Sequence, residues 1–140
     1  MGTFDGSAVW ITGGGSGLGK AMAVEFARQG ASVAVSGRRK ERLDEAVAAI
    51  EEAGGQGLAI VCDVNDDDAL QAAVAQVVER FGKLDVCVAN AGFGVAGRVS
   101  KLTREDWQRQ FEVNVVSVAM TAKFAIPELE KTGGRLALIG

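Results

Sequence analysis

The stretch 8-AVWITGGGSGLGKAM-22 sets an apolar run directly against five glycines in seven residues, Gly13 to Gly19 interrupted only by Ser16 and Leu18. Beyond them the pattern turns helical, with Leu18, Met22 and Phe26 recurring every four residues. A buried strand that enters a helix through bare backbone leaves first-turn N–H groups unpaired at the positive end of the helix dipole, where an anion is stabilised if it can come close. A plain strand-to-helix turn needs one or two glycines. Five predict a phosphate cradle.

Outward from this junction, short apolar runs alternate with helical periodicity. The runs Ser7–Thr12, Ala31–Ser36, Leu58–Cys62, Leu84–Ala89 and Arg135–Ile139 are nearly continuous in apolar residues, as strands buried on both faces must be. They predict five parallel strands. Leu43, Val47 and Ile50 mark one crossover helix, and Leu70, Val74, Val78 and Phe81 another. A long helix over roughly Arg104 to Lys131 carries Trp107, Phe111, Val115, Val118 and Ala122, with a kink or end expected at Pro127. Glycines at 30, 54 or 55, 82, and 133 or 134 fall between a helix and the next strand, where they cap helices. The alternation specifies an α/β fold with no linker or repeat.

Two phosphate motifs compete for the glycine cluster. The dinucleotide pattern G-x-G-x-x-G fails in every register, since Leu18 stands in the sixth place counted from Gly13. The P-loop pattern G-x-x-x-x-G-K-[ST] is met at Gly14, Gly19 and Lys20, but Ala21 stands where a hydroxyl must hold Mg²⁺. What fits is T-G-x-x-x-G-x-G, as Thr12, Gly13, Gly17 and Gly19. Here the chain resembles the short-chain dehydrogenase/reductase family. Further matches follow in order: an acidic residue after the third strand, Asp63-Val64; N-A-G closing the fourth, Asn90-Ala91-Gly92; and an asparagine inside the long helix, Asn114. The resemblance covers essentially all 140 residues.

That resemblance implies a Rossmann-type, doubly wound parallel sheet in three α/β/α layers. Its strand order would be 3-2-1-4-5, with the cofactor along the carboxyl edge near the switch between strands one and four. It implies cofactor binding by Gly13, Gly15, Ser16, Gly17, Leu18 and Gly19 at the phosphates, and by Asp63 and Val64 at the adenine. Asn90, Ala91 and Gly92 would lie beside the nicotinamide ribose. Asn114 would be the catalytic member. Asn114 sits in the apolar stretch F-E-V-N-V-V, which predicts a buried amide that must find partners.

The end of the second strand discriminates between cofactors. An NAD protein places a carboxylate there for the ribose 2′-OH, whereas a 2′-phosphate needs cations. The letters are 35-VSGRRKER-42: Gly37 stands where the acid would, and Arg38 and Arg39 follow at once. Guanidinium matches phosphate bidentately, so NADP(H) is favoured over NAD(H).

The family's chemistry uses a serine and Y-x-x-x-K beside the asparagine, and this chain contains no tyrosine. It looks like the amino-terminal, cofactor-binding half of a reductase, one Rossmann domain over 1–140 cut before its later strands and active site. Three readings stand at this point: part of an NADP(H)-dependent oxidoreductase acting on a carbonyl or alcohol, a stand-alone dinucleotide-binding or regulatory module, and a P-loop NTPase. In the first, the complete enzyme is expected to be a homo-oligomer, dimer or tetramer.

Composition narrows the partners. With 48% hydrophobic residues, 24% charged and a net charge of −3, the chain is globular and offers no basic face to nucleic acid or anionic lipid. The start MGTFDGS has no basic-then-apolar segment, the myristoylation pattern fails at Gly6, and no apolar run approaches membrane-spanning length. A cytoplasmic protein without membrane contact is expected. Cys62 and Cys87 sit in apolar runs without histidine neighbours, so no metal site is expected and both read as reduced core thiols.

Overall fold

A computed structural model describes residues 2–140. Five strands, β1 (Ala8–Thr12), β2 (Ser32–Gly37), β3 (Gln56–Val61), β4 (Val86–Ala89) and β5 (Arg135–Leu138), form one sheet. All neighbours pair in parallel, in the order β3-β2-β1-β4-β5. This is the expected doubly wound order. The connecting helices are α1 (Gly17–Arg28), α2 (Lys40–Glu52), α3 (Asp67–Phe81), α4 (Arg104–Phe111) and α5 (Ser117–Thr132).

Strand alternation builds two cores. Val9, Ile11, Val33, Val35, Val86 and Val88 face one way, onto Ala23 and Ala27 of α1 and Leu43, Ala46 and Ile50 of α2. Trp10, Ala34, Ile60 and Cys87 face the other, onto Leu70, Ala73 and Val77 of α3 and Ala125 and Leu129 of α5. Each strand therefore needs apolar residues at successive positions, which is why the runs read as continuous. Trp10 is fully buried, and its indole Nε1–H donates to Ser36 Oγ at 3.0 Å, so no polar atom is stranded between sheet and helix. Among the described residues no helix is long and apolar enough to cross a membrane.

Two helix faces differ from expectation. In α1 the buried residues are Gly19, Ala23 and Ala27, while Leu18 is exposed; the helix starts so close to the sheet that only small residues fit beneath it, and Met22 and Phe26 pack at its margin. The predicted long helix is divided. A π-helical turn, Glu112–Val116, separates α4 from α5, and α5 runs through Pro127 instead of ending there. The wider turn rotates the register, so the buried stripe is Ser117, Thr121, Ala125 and Leu129. Trp107, Phe111 and Val115 are exposed, and α4 buries nothing.

Candidate functional site

All five strands point their carboxyl ends to one edge, and a groove runs there across the ends of β3, β2, β1 and β4. The place is where open α/β sheets bind ligands. Its near wall is the turn between β1 and α1, with Gly13, Gly15 and Ser16, and beside it Gly37, Arg38 and Arg39 with the first turn of α2. Its far wall comes from Asp63 and Val64 after β3, from Ala91 and Gly92 after β4, and from Arg109 and Val113.

The glycine turn is built for close approach. Gly17 holds φ +55°, a conformation L side chains rarely adopt, and a Cβ there would meet nothing within 4 Å. The open space lies over the start of α1, whose first turn carries no acidic residue and whose N-cap Ser16 makes no side-chain cap hydrogen bond. By contrast α3 and α4 are closed by their own side chains, through Asp66 and a Thr103–Asp106 capping box. The α1 terminus has no side-chain cap, the condition an anion site at a helix N-terminus needs.

Beneath the turn the packing is tight. Thr12 Oγ1 accepts from the backbone N–H of Asn90 at 2.9 Å and of Ala91 at 3.0 Å, and Asn90 Nδ2 donates to the Gly13 carbonyl at 3.2 Å. These bonds tie the end of β1 to the N-A-G segment, so both loops are held at one height. Asn114 acts one step further out. Its Nδ2 donates to the Phe93 carbonyl at 2.6 Å and its Oδ1 accepts from Phe93 N–H at 2.8 Å, which pins the backbone just past Gly92. The expectation that Asn114 is buried is corrected: it lies in an exposed stretch of the π-helical turn, and backbone pairing satisfies its amide. Ser117 Oγ donates to the Val113 carbonyl inside the same turn.

Of the residues expected at the cofactor, nine line the groove: Gly13, Gly15, Ser16, Arg38, Arg39, Asp63, Val64, Ala91 and Gly92. Gly17 and Leu18 sit at the exposed start of α1, Gly19 is buried under the turn, and Asn90 and Asn114 brace the groove from behind. Gly37, Arg42, Leu43, Cys62, Asn65, Phe93, Arg109 and Val113 also line it and were not expected there. Helical spacing carries a signal for some of them, since Arg42 lies three residues past Arg39, and Arg109 four before Val113. The Arg109 guanidinium stands 4.1 Å over the Phe93 ring. Asp63 Oδ1 accepts from Asn65 N–H at 3.0 Å. The Cys62 thiol is pushed up to about 11 by burial and then by the charges of Asp63 and Asp66, and burial alone takes Cys87 to about 12, so both are thiols at neutral pH.

Comparison with known proteins bears on this geometry. The family model described as short chain dehydrogenase matches residues 7–140. The chain is 39% identical over 137 residues to a 3beta-hydroxysteroid dehydrogenase of Mediterraneibacter gnavus, covering 97% of this chain and 50% of that one. It is 38% identical over 131 residues to a meso-2,3-butanediol dehydrogenase of Serratia marcescens, covering 94% and 51%. The crystal structure of an NAD⁺-bound xylitol dehydrogenase superposes with a TM-score of 0.92 at 30% identity, covering 96% of this chain and 52% of that one. The chain spans about half the length of the curated relatives it matches.

Proposed function

The chain belongs to the short-chain dehydrogenase family, and from that premise we propose that it is a dinucleotide-binding unit that binds NADP(H) in preference to NAD(H). It would serve hydride transfer between the nicotinamide and a small carbonyl or alcohol. The nicotinamide supplies the hydride chemistry when bound. The residues described above hold, orient and shield.

In this reading the turn Gly13–Gly19 holds the pyrophosphate on the free donors of α1. Asp63 accepts from the adenine amino group with the oxygen not engaged by Asn65. Asn90, Ala91 and Gly92 lie along the nicotinamide ribose, and Asn114 positions that segment by holding Phe93 at both backbone atoms. The expected partners are a small-molecule substrate and a second copy of the chain; the exposed Trp107, Phe111 and Val115 support the latter. A cytoplasmic setting goes with this reading.

The observation that carries the NADP(H) preference is the wall of guanidiniums at the end of β2. Gly37 closes β2 with no carboxylate, and Arg38, Arg39 and Arg42 follow on the groove. Among the described residues none of these three pairs with a carboxylate, whereas Lys40 between them is bound to Asp44 at 2.8 Å. Unpaired guanidiniums beside a phosphate cradle suit a 2′-phosphate and do nothing for a 2′-hydroxyl.

Arg38→Ala is therefore expected to weaken NADPH by about 10- to 150-fold, the loss of one charge-assisted bond, while NADH binding changes by no more than about twofold. Fluorescence titration with both cofactors reads this directly. Equal losses would reject the preference.

A further inference from the structure

We infer that Arg42 is a third determinant of the 2′-phosphate site, standing on the groove beside Arg38 and Arg39 with its base packed against the glycine turn. This deepens the NADP(H) reading and rests on it. Arg39 is the N-cap of α2, and Arg42, three residues on, shares its side of the helix. Both line the groove, while Lys40 is turned to Asp44.

Gly15 supplies the second observation. A Cβ built on Gly15 would come within 3.1 Å of Arg42 Cβ, and Gly15 is not among the glycines with positive φ. Its bareness therefore serves space and not backbone conformation. The space it leaves lets the first turn of α2, at Arg42 and Leu43, pack directly against the phosphate turn, which sets the base of Arg42 beside it.

Charge gives the third. Arg39 and Arg42 stand at the N-terminal end of α2, where the dipole opposes cations, and they repel each other at this spacing. Glu41 shares that turn and Asp63 faces the groove from across it, yet neither pairs with Arg38, Arg39 or Arg42 among the described residues. A dianion set among the three guanidiniums relieves the repulsion.

Isothermal titration with 2′,5′-ADP and 5′-AMP, which differ only in the 2′-phosphate, tests this on the wild-type chain and on Arg42→Gln and Arg42→Lys. Arg42→Gln is expected to lose about tenfold or more for 2′,5′-ADP while 5′-AMP stays within about twofold, the latter also confirming that the site is folded. Arg42→Lys recovers part of the loss. An Arg42→Gln protein that keeps wild-type affinity for 2′,5′-ADP, or that loses both ligands alike, overturns the role of Arg42 and leaves the Arg38 reading standing. A wild-type chain with no preference for 2′,5′-ADP overturns the NADP(H) reading itself, and this inference with it.

Discussion

Gly19→Val should abolish dinucleotide binding and destabilise the fold together. Gly19 is buried under the turn, and a Cβ there would lie 2.2 Å from the Gly13 carbonyl oxygen and 2.7 Å from Asn90 Nδ2. Neither obstacle can rotate away, since the first is backbone and the second is held by its own bond to that same carbonyl. The turn must open, and with it goes the brace between β1 and β4. Overpacking of this kind costs about 3 kcal/mol, which for a domain of this size lowers the melting temperature by roughly 10 °C. Loss of the pyrophosphate donors should remove at least about 100-fold in cofactor affinity. Gly17→Ala is the matched contrast. Its Cβ meets open space, so only the left-handed backbone is strained, at about 1–2 kcal/mol. Thermal denaturation by circular dichroism, with NADPH titration of the surviving folded protein, separates the two. A Gly19→Val protein that melts and binds like wild type would sink this account of the cradle.

Residues 1–140 by themselves are expected to reduce no carbonyl substrate, however well they hold cofactor. Protonating the nascent alkoxide needs an acid within hydrogen-bond reach, and a placed general acid is worth about 10²–10⁴-fold. The chain has neither tyrosine nor histidine. Asn114 is no substitute: its amide pairs with the Phe93 backbone, and an amide does not titrate as an acid in this range. Lysines 20, 40, 83, 101, 123 and 131 are absent from the groove wall. The assay follows NADPH absorbance with high concentrations of the chain against a panel of ketones and quinones. Turnover that scales with protein and disappears in Asn114→Ala would require a different active site.

The parts of the fold legible in the sequence are those set by burial on two faces. Runs such as Ala8–Ile11 admit few alternatives to a central parallel strand, and the family motifs at Thr12, Asp63 and Asn90 fall at or just past the ends of β1, β3 and β4, which gathers them at one edge of the sheet. Less legible was anything that depends on how close two elements approach. Periodicity assigned Leu18 to the buried face of α1 because it is large and apolar; contact with the sheet selects Gly19, Ala23 and Ala27 because they are small. The stripe through Trp107, Phe111 and Val115 assumed one unbroken helix. A single π-helical turn moves the buried face to Ser117 and Thr121, whose hydroxyls donate to the carbonyls of Val113 and Ser117. Arg42 lay in plain view in the letters 35-VSGRRKER-42, but its approach to Gly15 is a contact between α2 and a loop that no local pattern encodes.

The burial of Trp10 has an optical consequence. With two tryptophans and no tyrosine, ultraviolet emission has two dominant sources in different settings. Trp10 is sealed in β1 with its Nε1–H bonded to Ser36, and Trp107 is 41% exposed on α4. In the single chain a soluble quencher reaches the second and not the first. The unquenched, blue-shifted component therefore follows the sheet beneath the phosphate turn, and the quenchable one follows the outer helix, so a single unlabelled sample records the melting of each independently.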